Sequence, residues 1–232
     1  MSGPRDGDLP AYLGNGLIDL RVREVPFFAG MVLVSGLAGT HPERRIEAAA
    51  AAPYPLSCDL AIDGVWLSEQ PWAVGDLRQS YELATAELHS AFTYRVGLRS
   101  LSVEVVVFAS RTAPSIVAQD VRVTADGPCD LKFRAVVSIT GLTGRVAQRR
   151  TDTPGEPEPA CDGSLLWETA EALGQCGLAL VTEDPASARR QVLAWSDAGP
   201  LCTEYEIRLA SGRPAGFRQL AALVPSALPC PA

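Results

Sequence analysis

The segment Leu101-Ser102-Val103-Glu104-Val105-Val106-Val107-Phe108-Ala109 decides the fold of this chain. Its odd-numbered positions are all apolar, whereas Ser102 and Glu104 interrupt the even-numbered face. Successive side chains of a β-strand point to opposite faces of the sheet, so this alternation predicts one buried face and one partly covered face. We interpret the segment as a central strand.

The segments on either side follow the same pattern, and residues 87–139 together predict four consecutive strands. Residues 131–139 alternate apolar with polar, which is typical of a strand with one solvated face. Residues 116–124 are rich in β-branched side chains and are followed by the turn Asp126-Gly127-Pro128. Further strand signals occur at residues 165–169, 177–182, 190–195, 203–209 and 217–224. We therefore expect an all-β fold, a large two-sheet antiparallel β-sandwich with one short helix or none.

Length and composition bound the function. A chain of 232 residues with 47% hydrophobic residues can bury a large core, and we expect one domain. The net charge of −7, with Lys132 as the only lysine, argues against a nucleic-acid partner. No apolar run approaches the roughly 20 residues needed to cross a bilayer, and the acidic amino end lacks the features of a signal peptide. We expect a cytoplasmic protein with no membrane partner.

The six cysteines are scattered without a CxxC pair, and only His41 and His89 accompany them. Structural zinc sites need closely spaced ligands, so we expect no metal site and no cofactor. Without an export signal, the cysteines are interpreted as free thiols that behave as small apolar residues.

A Gly-Asn-Gly turn precedes an extended run in Tyr12-Leu13-Gly14-Asn15-Gly16-Leu17-Ile18-Asp19-Leu20-Arg21-Val22. Asn and Gly tolerate left-handed backbone conformations, which suits the start of a strand. Gly14 and Gly16 do not form a phosphate-binding loop, because no third spaced glycine and no helix follow them.

This run resembles the opening LGNG motif of glycoside hydrolase family 65, the trehalase and disaccharide phosphorylase group. Further segments are similar to motifs of that family and occur in its order: Ala29-Gly30-Met31-Val32-Leu33-Val34-Ser35-Gly36, Leu60-Ala61-Ile62-Asp63-Gly64-Val65, Ser80-Tyr81-Glu82-Leu83, Phe108-Ala109-Ser110-Arg111 and Phe217-Arg218-Gln219-Leu220-Ala221. They span most of residues 10–225. Asp19 departs from the pattern, since a glycine is usual there.

The resemblance implies an amino-terminal sandwich of the galactose-mutarotase type, followed in the family by a helical linker and a catalytic α/α barrel. It divides the chain into a lead-in at residues 1–10, the sandwich at 11–226 and the start of a linker at 227–232. The family acts on α-glucosidic disaccharides by hydrolysis or phosphorolysis, and its general acid is a glutamate of the barrel. No segment here resembles that motif, so no catalytic residue is carried over and the chain alone is expected to be inactive. Its expected partner is the barrel, with Tyr12, Gly14, Asn15, Gly16 and Arg21 as the candidate docking or substrate loop.

Glycosidic cleavage needs two positioned carboxylates, so closely spaced acidic residues are candidates. The pairs are Glu43 with Glu47, Glu82 with Glu87, and Glu204 with Glu206. Each is interpreted as part of a solvated face.

Four tryptophans could stack on sugar rings. Trp66 and Trp195 lie in apparent strand runs and are expected to pack in the core, whereas Trp72 follows Pro71 in a loop and is the candidate for stacking. A free-standing carbohydrate-binding module or a homo-oligomerisation module therefore stays open beside the docking interpretation.

Two regions are predicted to depart from strand structure. Residues 41–52 combine an early proline with five consecutive alanines, which favours a short surface helix. His41 and His89 are both expected to be solvated. Residues 141–163 lose the alternation and are expected to form a proline-broken loop, in which 151–159 is the preferred site of limited proteolysis.

Overall fold

The computed structural model describes residues 10–41, 43–151, 162–185, 187–194, 196 and 199–226. Its strands are β1 (Ala11–Gly14), β2 (Ile18–Val22), β3 (Met31–Thr40), β4 (Glu47–Ala52), β5 (Tyr54–Ile62), β6 (Val65–Trp66), β7 (Val74–Glu82), β8 (Glu87–Val96), β9 (Arg99–Ala109), β10 (Ile116–Ala125), β11 (Cys129–Ser138), β12 (Gly144–Thr151), β13 (Gly163–Thr169), β14 (Gln175–Glu183), β15 (Arg189–Val192), β16 (Leu201–Leu209) and β17 (Pro214–Pro225). The helical elements of these residues are two single turns of 3-10 helix, Pro71–Ala73 and Ala170–Ala172. No helix in the described ranges is long and apolar enough to cross a lipid bilayer.

The strands form two antiparallel layers, which confirms the predicted sandwich. One layer is an eight-stranded sheet in the order β12-β13-β14-β17-β10-β9-β8-β7. The other consists of a four-stranded sheet, β1-β2-β3-β4, and a five-stranded sheet, β15-β16-β11-β5-β6. Strand β17 contacts both β3 and β5, so the large sheet faces both smaller ones. The second layer divides at Pro53, where the chain passes from β4 in one sheet to β5 in the other.

The core lies between these layers and forms one connected cluster. The odd-numbered valines of β9 (Val103, Val105 and Val107) are buried, as their alternation predicts. Phe133 of β11 and Phe217 of β17 stack across the layers with ring centroids 4.3 Å apart. Strand β5 is buried along its whole length, on both faces. A chain of this length is thus long enough to enclose one continuous core.

Two glutamines form a polar crosslink inside the core. Gln119 and Gln219 lie directly opposite each other on β10 and β17 and are fully buried. The Gln119 amide donates to Gln219 Oε1 at 2.9 Å and to the Leu56 carbonyl of β5 at 3.2 Å. Gln219 donates to the Ser57 carbonyl at 3.3 Å. Buried amides require such partners, so these bonds tie the layers in one alignment.

The prediction of a short helix at residues 41–52 is wrong, because Glu47–Ala52 forms β4. This strand pairs with β3, for example through Gly39 opposite Ala48. A Cβ on Gly39 would lie 2.9 Å from the Ala50 Cβ, so the two backbones approach closely here. Helix propensity is a weak local preference, and pairing with β3 overrides it. His41 is half-buried, and its Nδ1 accepts bonds from the amides of Glu43 and Arg44 in the turn that follows it.

The prediction of a loop throughout residues 141–163 is also wrong in part, because Gly144–Thr151 forms β12. This edge strand pairs with β13 and has a register shift between Val146 and Gln148. Gly144 has a φ of 152°, and a Cβ there would clash with the Trp167 ring. An edge strand tolerates many charges, so its arginines concealed it in the sequence. Most of the predicted proteolysis segment lies outside the described residues.

Candidate functional site

One end of the sandwich brings together turns that are distant in sequence. The register pairs Glu82 with Glu87, Phe108 with Ala118, and Cys176 with Pro225. The β7–β8 turn, the β9–β10 loop, the β13–β14 turn and the end of β17 therefore lie along the same margin of the eight-stranded sheet. We call this margin, with the β1–β2 and β3–β4 turns that contact it, the β17 end.

Most of the exposed large apolar side chains in the described residues lie at the β17 end. Among the eight such side chains in the described residues, six lie here: Tyr12, Ile46, Tyr81, Leu83, Leu173 and Val224. Leu83 is 85% exposed and Tyr12 is 63% exposed. The other two, Trp72 and Leu98, lie elsewhere. Exposed apolar side chains concentrated at one end of a domain are typical of an interaction site.

Hydrogen bonds fix the position of this surface. The Tyr12 amide donates to the Tyr81 hydroxyl at 2.7 Å, and that hydroxyl donates to the Tyr12 carbonyl at 3.2 Å. Thr40, at the end of β3, donates to Glu171 at 2.9 Å. Ile46 belongs to the same turn, since its carbonyl accepts the His41 amide at 2.9 Å. These bonds join the small four-stranded sheet to the large sheet at the β17 end.

A cleft of about 300 Å³ opens between Tyr12 and Leu83. Its walls come from β1, the β7–β8 turn and the end of β9. The lining residues are Tyr12, Leu13, Gly14, Tyr81, Glu82, Leu83, Ala86, Ala109 and Arg111. The cleft is therefore mainly aromatic and aliphatic, with Glu82 and Arg111 as its charged members.

Asn15 holds the β1–β2 turn against the β9–β10 loop. Its side-chain nitrogen donates to the carbonyls of Ser110 at 2.6 Å and Pro114 at 2.9 Å. Its Oδ1 accepts the amides of Leu17 at 3.0 Å and Ile18 at 2.9 Å. All of these partners are groups of this chain, so the role of Asn15 is to position the turn.

Gly14 and Gly16, on either side of Asn15, suit their positions for different structural reasons. Gly16 has a φ of 93°, a left-handed conformation that favours glycine. Gly14 lies opposite Asp19, whose carboxylate occupies the space that a Cβ on Gly14 would need. The aspartate that departs from the family pattern is thus accommodated by the missing side chain of Gly14.

The structure separates Arg21 from the cleft. Arg21 lies opposite Tyr12 in the β1–β2 register and is exposed on the outer side of the small sheet. Its carbonyl is the group that a Cβ on Gly30 would strike. Tyr12 and Gly14 line the cleft, Asn15 and Gly16 form the turn next to it, and Arg21 is not among the lining residues.

Three of the motifs that carry the sequence resemblance converge here. Residues 12–16, 80–83 and 108–111 contribute the cleft walls and the Asn15 contacts. The hairpin containing Asp63 and Gly64 lies away from this site, near the start of β9, where Asp63 pairs with Arg99 at 3.0 Å. The convergence of three segments could not be read from their spacing in the sequence.

The tryptophans occupy different environments. Trp72, in the 3-10 turn before β7, is 69% exposed, as its loop position predicts. Trp66 is half-buried beneath the Arg134 guanidinium, which lies 3.8 Å from the ring centroid, so the expectation of core packing is wrong for it. Trp167 is buried in the core. Trp195 lies outside the described residues.

Glu204 corrects the interpretation of the acidic pairs as solvated. It is buried on the outer face of the five-stranded sheet, where it accepts bonds from Lys132 at 2.9 Å and Arg134 at 2.8 Å. Burial alone would raise its pKa, but the bonds from Arg134 and Lys132 hold the pKa below its usual value. Glu206 is exposed, as are Glu43, Glu47 and Glu82. Glu87 is half-buried and contacts exposed His89 at 3.1 Å.

Asp59 is a buried carboxylate that the sequence analysis did not single out. It accepts the amides of Leu60 at 2.9 Å and Ser68 at 3.1 Å and the Ser68 hydroxyl at 2.6 Å. Burial raises its pKa despite these bonds. Asp59 and Glu204 flank Arg134 in one cross-strand row. Both carboxylates are engaged by groups of the protein, an arrangement that stabilises the sheet.

The four described cysteines are buried and free, as predicted: Cys58, Cys129, Cys176 and Cys202. Burial raises the pKa of the Cys176 and Cys202 thiols to about 11, so both are protonated at neutral pH. They behave as apolar core residues. Cys161 and Cys230 lie outside the described residues.

No protein-family model matches the chain, and no curated protein matches it. Among solved structures, one described as a kojibiose phosphorylase from the human microbiome superposes with a TM-score of 0.73 at 11% identity, covering 93% of this chain and 30% of that chain. An aldose 1-epimerase from Escherichia coli K12 gives 0.45 at 12% identity, covering 94% of this chain and 99% of that one. A galactose mutarotase related enzyme from Lactobacillus acidophilus gives 0.43 at 8% identity, with coverages of 93% and 97%. The chain thus spans 30% of the phosphorylase, and the likeness at this identity concerns the fold.

Proposed function

We propose that this chain is a non-catalytic β-sandwich domain that docks through the β17 end on the α/α-barrel catalytic domain of a family 65-like enzyme. The implied reaction is hydrolysis or phosphorolysis of α-glucosidic disaccharides. The observation that carries the proposal is the concentration of six exposed large apolar side chains at one end of the sandwich. The sequence resemblance and the partial match to a larger phosphorylase support the choice of partner.

The composition of the β17 end fits an interface between domains. Interfaces within one chain typically bury about 600–1,500 Å². Burying about half of that area as apolar surface is worth roughly 10 kcal/mol as an upper bound before ordering costs. Tyr12 lies on β1, which hydrogen bonds of Tyr12 and Asn15 already fix against the large sheet, so little ordering of Tyr12 is needed on binding.

The path of the chain agrees with this placement. Ser226 donates its amide to the Gln175 carbonyl at 2.9 Å, at the margin where β17 finishes. A domain connected after residue 226 would begin beside the exposed apolar side chains. A barrel supplied as a separate chain would reach the same surface.

The test is sedimentation velocity of the chain alone and mixed with a barrel domain from a trehalase-like homologue. The change is Leu83→Asp, with Leu98→Asp as the matched control, because Leu98 is equally apolar and fully exposed but lies in the β8–β9 turn away from the β17 end. We expect the wild type and the control to bind the barrel and Leu83→Asp to lose at least tenfold in affinity. A chain that ignores the barrel, or loses binding equally in both variants, contradicts the proposal.

A free-standing carbohydrate-binding module is the second candidate, favoured by the exposed Trp72 ring. Calorimetric titration with trehalose, kojibiose and maltose distinguishes it. Saturable binding that Trp72→Ala removes and Leu83→Asp does not would replace the docking function with a sugar-binding one.

A further inference from the structure

We propose that the interface with the barrel continues from the β17 end onto the outer face of the eight-stranded sheet, where one helix of the barrel lies across β10, β17 and β14. The inference rests on the proposed function for the identity of the partner. It is carried by an apolar area on a sheet face that is otherwise polar. An antiparallel sheet with one solvated face normally alternates apolar residues toward the core with polar residues outward.

The register of the sheet defines which side chains face outward. The two core glutamines of β10 and β17 bond to β5 carbonyls, so the even-numbered residues of both strands lie on the outer face. On β9 and β14 the residues between the buried core positions face outward in the same way. One row across these four strands is entirely apolar and consists of Phe108, Ala118, Leu220 and Val181. Ala118 is fully buried, and the other three are half-buried.

The two adjoining rows are apolar as well. In the first, Ala222 lies opposite Ala179. In the second, Val224 lies opposite Gly177, which lies opposite Leu166 of β13. Val224 is 50% exposed and also belongs to the β17 end, so the two surfaces are continuous. Outside its own sheet, β17 contacts β3 and β5, both of which lie on the core side.

The other half of the same face is polar and provides an internal comparison. An ion pair between Asp120 and Arg218 at 2.6 Å forms the boundary. Beyond it Glu104 lies opposite Arg122, and Thr124 follows on β10. That half obeys the rule for a solvated face, whereas the half next to the β17 end does not. Single exposed apolar residues are ordinary, but neighbouring rows of them are typical of a contact with another surface.

The size of the apolar area decides between possible occupants. Its outward positions, at a strand spacing of about 4.8 Å and a same-face spacing of about 6.8 Å, occupy roughly 300 Å². A stable complex of two separate chains needs about 800 Å² from each partner, so this face alone is too small to hold a second copy of the chain. As an extension of the β17 end it fits an interface between domains, which typically buries about 600–1,500 Å².

The shape of the area fits a helix. The strands here are paired on both sides within the sheet, so an added strand would find no free backbone groups. Ala222 and Ala179 lie between the row of Leu220 and Val181 and the row that begins with Val224, and they form a shallow trough across the strands. An α-helix is about 10 Å wide with its side chains, which is comparable with three such rows. The proposed partner is an all-helical barrel, so the expected element is an amphipathic helix of that barrel.

The first experiment measures protection of the face by the partner. The change is Ala222→Cys in a Cys161→Ser, Cys230→Ser background, since the four described cysteines are buried. Thr124→Cys, at a half-buried position in the polar half, is the matched control. Maleimide labelling is followed with and without a saturating barrel domain from a trehalase-like homologue. We expect the barrel to slow labelling of the Ala222→Cys variant at least tenfold and that of the control less than twofold.

The second experiment measures affinity for the same barrel by sedimentation velocity. Ala222→Lys places an ammonium in the trough, and Thr124→Lys adds the same charge to the polar half. We expect at least a tenfold loss of affinity for Ala222→Lys and no loss for the control, with circular dichroism checking that each variant is folded. The small Ala222→Cys change keeps the test valid if the lysine variant does not fold.

The outcomes separate this inference from the proposed function. A wild type that does not bind the barrel contradicts the proposed function, and this inference with it. Barrel binding that Leu83→Asp weakens, without protection at position 222 or with equal protection at position 124, overturns the inference alone and leaves docking at the β17 end in place.

Discussion

The buried glutamine pair gives a quantitative test of what holds the two layers in alignment. Gln219→Leu keeps a similar volume but removes the acceptor of the Gln119 amide and the donor to the Ser57 carbonyl. Each buried polar group left without a partner costs about 1–3 kcal/mol. Two such groups predict a loss of about 2–6 kcal/mol, and we expect about 2–4 kcal/mol because the Gln119 amide keeps its bond to the Leu56 carbonyl and leucine is more apolar. Gln119→Leu is expected to have a similar effect, because it strands Gln219 Oε1 and the Leu56 carbonyl.

The double variant separates this reasoning from a simple loss of packing. In each single variant the surviving glutamine loses its bond to the other glutamine and keeps only its bond to a β5 carbonyl, whereas in the double variant neither buried amide remains. The double variant should therefore be destabilised by less than the sum of the single variants, by about 1–3 kcal/mol. Urea unfolding followed by tryptophan fluorescence and circular dichroism gives the three free energies. Gln191→Leu, on the exposed strand β15, is the control and should change stability by no more than about 0.5 kcal/mol.

Additive effects within about 0.5 kcal/mol would refute the reasoning, because they would mean that the two side chains act independently. Destabilisation of less than about 1 kcal/mol in both single variants would contradict it in another way, since the amides would then have found other partners.

Three further outcomes follow from the described contacts. Glu204→Gln should lower the free energy of unfolding at pH 7 by about 1–3 kcal/mol, because the pKa of Glu204 in the folded state lies below its ordinary value of 4.5. That stabilisation is present above about pH 4.5 and is lost as the pH falls through the folded pKa, so the difference in unfolding free energy between Glu204→Gln and wild type should narrow in acid. Urea unfolding from pH 3 to pH 7 measures it. A difference that stays constant over this range, or an equal effect of Glu206→Gln, contradicts the prediction. Gly30→Ala should cost roughly 2 kcal/mol or more because its Cβ meets the Arg21 carbonyl, whereas Gly14→Ala should cost less because its Cβ meets a movable carboxylate; thermal unfolding that ranks them in the reverse order rejects the argument. The purified chain should release no glucose from trehalose, kojibiose, maltose or nigerose, and turnover that disappears on mutating one of its carboxylates would show that an acid/base pair was overlooked.

Prediction of secondary structure from the sequence is most accurate where buried and exposed residues alternate along a strand. Alternation in residues 101–109 and 131–139 locates β9 and β11 to within a few positions, because burial on one face requires it. Residues 48–52 lack this information, since five alanines alternate nothing and their helix propensity is only a local preference. Pairing with β3, up to some 20 residues earlier in the chain, decides their conformation.

The candidate site could be predicted only in part, because several of its contacts depend on which strands lie side by side. The Gly-Asn-Gly sequence indicates a turn, but the contact of Asn15 with the Ser110 and Pro114 carbonyls depends on how β1 meets β9. The alternation around Glu204 correctly places it on the outer face of its strand. It does not show that Lys132 and Arg134 occupy the neighbouring positions of β11 and bury the carboxylate. Cross-strand register, which is not local in sequence, supplies both answers.

The two ends of the sandwich differ in a way that bears on which of them can dock a partner. At the starts of β9 and β11, charged side chains pair with one another: Arg99 with Asp63 at 3.0 Å, and Arg208 with Asp130 at 2.6 Å. Covering that end would require removing paired, exposed charges from water, which costs free energy that the pairs do not recover. The β17 end also has an exposed ion pair, Arg45 with Glu171 at 3.4 Å, but a partner there would in addition cover Leu83, Tyr12 and Val224, for which removal from water is favourable. These side chains lie outside the core, and their concentration at one end is the observation on which the proposed docking surface rests.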